Sequence, residues 1–202
     1  MTGTYDWNPM PHVVDVRCPG CGGRGKFEFA EAVKIARKED IPFFKKSKTF
    51  EYRFFRRREH GTSWHGALFH PSLHGGGVGA ITEALPAGYQ ASDWKHSKYL
   101  YRSHGLDLGA VVCGECGHRA KHVLQWPADA WYQIEYRRQT LWAFDLESAR
   151  ALRAFVAADV AAERKPKKHA WSSFLLHVPS HFLGAKARAE VVKRLDRVIE
   201  GS

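Results

Sequence analysis

Apolar and polar positions alternate in short stretches over the first two thirds of the chain and recur with a helical period in the last third. Residues 1–12 are irregular, interrupted by Asn8, Pro9 and Pro11. Val13, Val14 and Val16 then read as a short strand. Phe27, Phe29, Val33 and Ile35 share odd positions, the period of a strand, while Ala30, Glu31, Ala32 and Lys34 keep a helix over 30–38 as an alternative. Phe50, Tyr52 and Phe54 alternate with Glu51 and Arg53, which predicts another strand. Residues 59–110, rich in His, Gly and aromatic side chains, predict short strands and long loops. Val111 and Val112 resume a strand pattern, and a further strand is expected over His122, Val123, Leu124 and Gln125.

The period lengthens after residue 145. Asp145 is placed as an N-cap for LESARALRAFVAADVAAER, in which Leu152, Phe155, Val156 and Val160 fall on one face. The run KPKK at 165–168 ends that helix. A short helical piece is expected over 171–178, stopping before Pro179. A last helix over about 185–200 carries Ala187, Val191, Leu195, Val198 and Ile199 as its apolar stripe.

The 202 residues are 44% hydrophobic and 26% charged, so the chain can build a core and is not of the disordered class. The length suits one domain over 1–202, or one with a sizeable insertion. No apolar run approaches the roughly 20 residues of a membrane span, and the N-terminus lacks the pattern of a signal peptide. A cytoplasmic protein with no membrane partner is expected. The net charge of +10 attracts polyanions, nucleic acid first among them, although such an excess also simply keeps a protein soluble.

Chemistry concentrates in two cysteine pairs, Cys18-Pro-Gly-Cys21-Gly and Cys113-Gly-Glu-Cys116-Gly-His, which hold all four cysteines of the chain. Two intervening residues let both sulfurs face one ion, and Gly after the second Cys permits the sharp turn. Cys18, Cys21, Cys113 and Cys116 make a closed tetrahedral set for one structural zinc ion. Reducing conditions in the cytoplasm also favour a metal over disulfides. The same thiolates suit iron or an iron–sulfur cluster. A redox dithiol is disfavoured because there are two matched pairs. Residues 18–25 also fit one copy of the zinc repeat of J-domain chaperones, but His118 and Ala120 break the pattern in the second pair. His118 is expected beside the ligands rather than among them.

The paired motifs resemble those of zinc-ribbon proteins with rubredoxin-type knuckles, over about 13–29 and 111–126. That resemblance implies a knuckle at each of two hairpin tips and a structural metal. The 91 residues between Cys21 and Cys113 exceed a simple ribbon and imply an insertion over about 30–110. The segments LWAFDLESARALRAFVAA and HFLGAKARAEVVKRLDRVI are similar to the tail of some uncharacterised bacterial zinc-ribbon proteins. This implies a helical C-terminal part over about 145–202 and carries no activity.

Two further stretches bear on function. Lys45, Lys46, Lys48, Arg53, Arg56, Arg57 and Arg58 are interleaved with Phe43, Phe44, Phe50, Tyr52, Phe54 and Phe55, with Glu51 the one acid. Cations that hold phosphate beside rings that stack on bases make a nucleic-acid surface. The plain alternative is a core face of aromatics backed by solvated arginines. His60, His65, His70 and His74 precede a Gly-rich run, and a second, catalytic metal there would support hydrolysis; loop and surface roles are the ordinary reading. No phosphate-loop, dinucleotide or nucleophile-triad pattern occurs.

The sequence therefore predicts an α+β protein: a split zinc ribbon with a largely β insertion and C-terminal helices. The expected function is that of a zinc-binding, non-enzymatic, nucleic-acid-binding accessory module. The alternatives are a structural or protein–protein interaction subunit and a metal-dependent hydrolase using the His-rich stretch.

Overall fold

The computed structural model describes residues 10–56, 63–80, 85–94, 107–158 and 171–201. It is a mixed α+β structure with three antiparallel sheets or hairpins and, among the described residues, six short to medium helices. Two compact units form, one from residues 26–124 and one from residues 1–25 with 125–202, and the division between them runs through a strand. None of the described helices is long and apolar enough to cross a membrane.

The first sheet has the order β1-β2-β6-β7, with β1 at Val13–Arg17, β2 at Arg24–Phe29, β6 at Leu108–Val112 and β7 at Arg119–Val123. Strand β2 shows why a strand forms. Gly25, Phe27 and Phe29 are buried, while Lys26 and Glu28 point away. It pairs with β6 in the register Phe27↔Val111, and β6 pairs with β7 in the register Val111↔Ala120. Gly109 is required where the ring of Phe27 crosses it: a Cβ there would lie 2.5 Å from the ring edge.

The alternation from Phe27 to Ile35 belongs to two sheets. Ala30 N–H donates to the Leu108 carbonyl at 3.0 Å, ending the first ladder. The chain then enters β3, Glu31–Lys34, which pairs with β5, Ser63–Phe69, in the register Glu31↔Phe69. The alternative helix over 30–38 does not form, because β5 offers this backbone a ladder. A 3-10 turn at Lys38–Asp40 leads instead into α1, Ile41–Lys46, with Pro42 in its first turn. The region expected to be largely β thus also carries short helices, including α2 at Pro71–His74. The edge strand β4, Glu51–Arg56, completes the sheet β3-β5-β4.

Val33, Ile35, Phe44, Phe50, Ala67, Phe69, Val78 and Trp94 form the core of this unit. Phe50 stacks on Trp94 with ring centres 4.9 Å apart. Phe55 packs on Trp64 at 4.1 Å across Gly66, where a Cβ would approach both rings to 2.5 Å. The aromatic residues of this region are therefore divided: Phe44, Phe50 and Phe55 are buried, and Phe54 is 44% exposed.

In the other unit, β1 is bound by the backbone after residue 125. Asp15 N–H donates to Phe144 O at 2.7 Å, Trp131 N–H to Asp15 O at 3.1 Å, and Arg17 N–H to Asp129 O at 2.8 Å. A hairpin not foreseen in the sequence follows, β8 at Gln133–Tyr136 and β9 at Gln139–Trp142. Asp145 caps α3, Leu146–Ala157, accepting from Ser148 N–H at 2.7 Å. The buried Ser148 Oγ accepts from the N–H groups of Phe144 and Asp145, each at 2.9 Å. Val160 and the basic run 165–168 lie outside the described residues. Helices α4, Ser172–Leu176, and α5, Ser180–Leu183, lie on either side of Pro179. Helix α6, Ala185–Glu200, buries Ala187, Val191 and Leu195. Burying a Val or Leu side chain contributes about 1.5–3 kcal/mol, enough for two such residues to hold an otherwise polar helix down. An ion pair of Arg153 with Asp196, at 2.8 Å, joins α3 to α6.

Candidate metal centre

Each cysteine pair sits in the turn between two strands. In the first, Cys18 N–H donates to Gly23 O at 2.8 Å, and Gly22 N–H returns to Cys18 O at 2.9 Å. In the second, Cys113 N–H donates to His118 O at 2.9 Å, and Gly117 N–H returns to Cys113 O at 3.1 Å. The two turns thus repeat one hydrogen-bond pattern, residue for residue. Gly22 has φ 75° and Gly117 φ 71°, and a Cβ at either would meet open space. The need for glycine here is conformational rather than steric. In the first turn, Gly20 N–H points at Cys18 Sγ (3.3 Å) and Gly23 N–H at Cys21 Sγ (3.4 Å). Such donors stabilise thiolate over thiol.

All four cysteines are free thiols, and their sulfurs lie within 4.8 Å of one another. A tetrahedron with metal–sulfur bonds near ~2.3 Å has edges of about 3.8 Å, so small side-chain adjustments close it around one ion. Cys18 and Cys113 are buried and Cys21 and Cys116 exposed, so the first cysteine of each pair faces the protein and the second faces solvent. Neither pair opens a helix; the elements that follow are β2 and β7. The helix N-terminus that lowers a redox cysteine's pKa is therefore missing from both turns. What the arrangement can do is bind one four-coordinate metal ion.

No family model, curated protein or solved structure matches the chain.

The basic residues singled out between 45 and 58 take up different positions. Lys45 and Lys46 are on α1, Lys48 follows it, and Arg53 and Arg56 are on β4; Arg57 and Arg58 lie outside the described residues. Because side chains alternate across a strand, Tyr52 and Phe54 share one face of β4 with His65 opposite Phe54. The Lys45 ammonium lies 4.8 Å from the centre of the Tyr52 ring, and the Arg56 guanidinium 5.6 Å from that of Phe54. Tyr52 Oη and His65 Nδ1 share a hydrogen bond of 2.6 Å.

Arg53 is on the opposite face and is engaged there. Its Nε donates to Glu51 Oε1 at 2.5 Å, while Lys121 Nζ (2.7 Å) and His70 Nε2 (3.2 Å) reach Glu51 Oε2. These partners, the His70 hydrogen bond foremost, hold the Glu51 carboxyl well below the usual carboxylate range against the opposing effect of burial. The group lines a cavity of about 380 Å³ together with His122. Nothing in the sequence pointed to this cluster, because its members come from β4, β7 and the residue before α2.

The histidines are dispersed in the same way. His65 faces Tyr52 and Phe54, His70 is buried against Glu51, and His74 stacks on Phe69 at 5.1 Å. Burial, aided by the nearby His70, Lys121 and Arg119, pushes the His74 imidazole below its ordinary pKa. His60 lies outside the described residues. Among the described residues, Cys18, Cys21, Cys113 and Cys116 are the one group of three or more His, Cys, Asp or Glu placed to share an ion.

Proposed function

We propose that the four cysteines hold one structural zinc ion in a ribbon-like centre, and that the chain is a non-enzymatic module that binds single-stranded nucleic acid. Four thiolates in a closed set suit zinc, and a closed set leaves no open position for substrate. The observation that carries the nucleic-acid reading is the exposed face of β4. Phe54, 44% exposed, stands beside Tyr52, with the cations of Lys45 and Arg56 lying over these rings. Rings of this kind stack on unpaired bases while the flanking cations meet phosphates. The net charge of +10 adds a long-range attraction.

Fluorescence anisotropy with a labelled 15-nucleotide pyrimidine strand tests the reading. Wild-type affinity falls steeply between 50 and 200 mM salt, on the order of ~0.7 in the log–log slope for each phosphate contacted. Phe54→Ala weakens binding by the loss of one stacked base, about 1–3 kcal/mol or roughly 5- to 150-fold. Equal affinity in wild type and Phe54→Ala, or no salt-dependent binding at all, sinks the proposal and returns the exposed face to the role of a protein-docking surface.

A further inference from the structure

The hairpin β8–β9 pairs Tyr136 with Gln139, which leaves a two-residue loop made of Arg137 and Arg138. Their φ angles are 49° and 61°. Positive φ at both loop positions is the mark of the tight turn whose twist matches the strands, and it is the turn that selects Asn-Gly or Asp-Gly. Residues with a full side chain are strained there, and Arg lacks the short polar side chain with which Asn or Asp hydrogen-bonds locally in this conformation. Both arginines are exposed. Arg137 leans on its neighbour Tyr136, 5.3 Å from guanidinium to ring centre, and neither guanidinium has a hydrogen bond or ion pair among the described residues. The flanking strands are well seated: Tyr136 is buried, its ring 6.3 Å from that of Phe182, and Arg194 of α6 donates to the Glu135 carbonyl. The strain is thus held in place by a firm base, with two exposed cations at its tip.

On the exposed side of α6, Lys186, Lys193 and Arg197 recur at intervals of seven and four residues, which puts them on one helical face. This face belongs to the same unit as the hairpin. Strain kept at an exposed point, where a common substitution would relieve it, directs attention to what the side chains do there.

We infer that the Arg137–Arg138 turn is a second nucleic-acid contact, in which two guanidinium groups on a narrow, rigid tip grip the phosphodiester backbone. The inference rests on the proposed nucleic-acid function, and the hairpin is a contact separate from the β4 face. Guanidinium suits this role because its fork of donors matches two phosphate oxygens at once.

The test is the double variant Arg137→Asn/Arg138→Gly, which fits the turn better and removes both cations. Thermal melting and anisotropy against a labelled 30-nucleotide strand are measured for it, for wild type, for Phe54→Ala and for Arg137→Lys/Arg138→Lys. The expected result is a higher Tm together with weaker binding, and a log–log salt slope shallower by about 1.4 for two lost phosphate contacts. At 0.15 M salt that slope corresponds to roughly a 15-fold loss of affinity. The lysine variant keeps the charge and retains most of the binding, and so tells a phosphate contact from a disturbed fold. A raised Tm with unchanged binding overturns the hairpin contact while leaving the β4 reading intact if Phe54→Ala still weakens binding. An unchanged or lowered Tm in the Asn-Gly variant removes the argument from strain. Failure of wild type to bind the strand overturns both proposals together.

Discussion

Replacing Cys116 with serine removes one thiol from the four-cysteine group that the proposal assigns to the metal. The residue is exposed, and the hydrogen bonds that shape its turn run between backbone groups of Cys113, Gly117 and His118. As the substitution of an exposed residue, it should shift the stability of the metal-free protein by no more than about 0.5 kcal/mol. With metal the outcome differs. Structural zinc sites contribute roughly 10–16 kcal/mol of apparent binding free energy, coupled to folding. Shared over four thiolates, one ligand accounts for about 2.5–4 kcal/mol, a loss of roughly 70- to 900-fold in affinity. At a free-zinc concentration a thousand times the wild-type Kd, the ion stabilises wild type by about 4 kcal/mol. At 2–4 °C per kcal/mol for a chain of this size, that is a shift near 10 °C in Tm.

The assay is thermal melting of wild type and Cys116→Ser with buffered zinc and with chelator, alongside metal content by elemental mass spectrometry. The two proteins should melt together in chelator and separate in zinc, with about one zinc per wild-type chain. Cys113→Ser is a poorer probe, because that residue is 2% exposed and the change buries a hydroxyl in place of a thiol. Wild type that melts identically with and without chelator would refute the reasoning. So would a Cys116→Ser protein stabilised by zinc as strongly as wild type.

Two further outcomes follow from the packing and the charges. The pKa of Glu51 is lowered on folding, so its contribution is fully present above the ordinary value of 4.5 and is lost as pH falls below it. Glu51→Gln should accordingly be less stable than wild type at pH 7, by about 1–3 kcal/mol, with the gap narrowing in urea melts taken from pH 5 to pH 3; a gap constant across that range would show that the carboxylate's charge is not the source. Gly109→Ala forces a Cβ against the Glu28 carbonyl and the Phe27 ring, whereas Gly66→Ala meets only side chains, those of Phe55 and Trp64. The first should therefore lower Tm more than the second, which should cost about 1–3 kcal/mol, and the reverse order would mean that the β2–β6 ladder yields more easily than two packed rings.

What was legible in the sequence was local. Each cysteine turn is specified within six residues by the Cys spacing and the glycine at positive φ, and both turns close with the same hydrogen bonds. The N-cap at Asp145 and the apolar stripe of α6 are likewise written in neighbouring residues. Strand partnership is not written that way. Phe27 to Ile35 keep one alternation although the chain passes from one sheet to another at Ala30, because a side chain's period records burial and not the identity of the strand beside it. Phe50 and Phe54 have the same parity, yet Trp94 covers the first and solvent meets the second. Alternation along an edge strand cannot tell a covered end from an open one.

The hairpin β8–β9 escaped for a different reason. Its strands are short, and the Gly or Asn that announces a two-residue loop is replaced by Arg137-Arg138. Sequences that fold well agree with their structure at every level, and departures from that agreement concentrate where another demand is being met. By that criterion the arginine turn and the exposed Phe54 differ from the core residues that were merely hard to read. Phe50 and Phe55 obey the packing rules once their neighbours are known, whereas Arg137, Arg138 and Phe54 break local rules even in the finished structure. These three residues are therefore where the nucleic-acid reading is to be tested, and the two cysteine turns are what bring four thiols within reach of one ion.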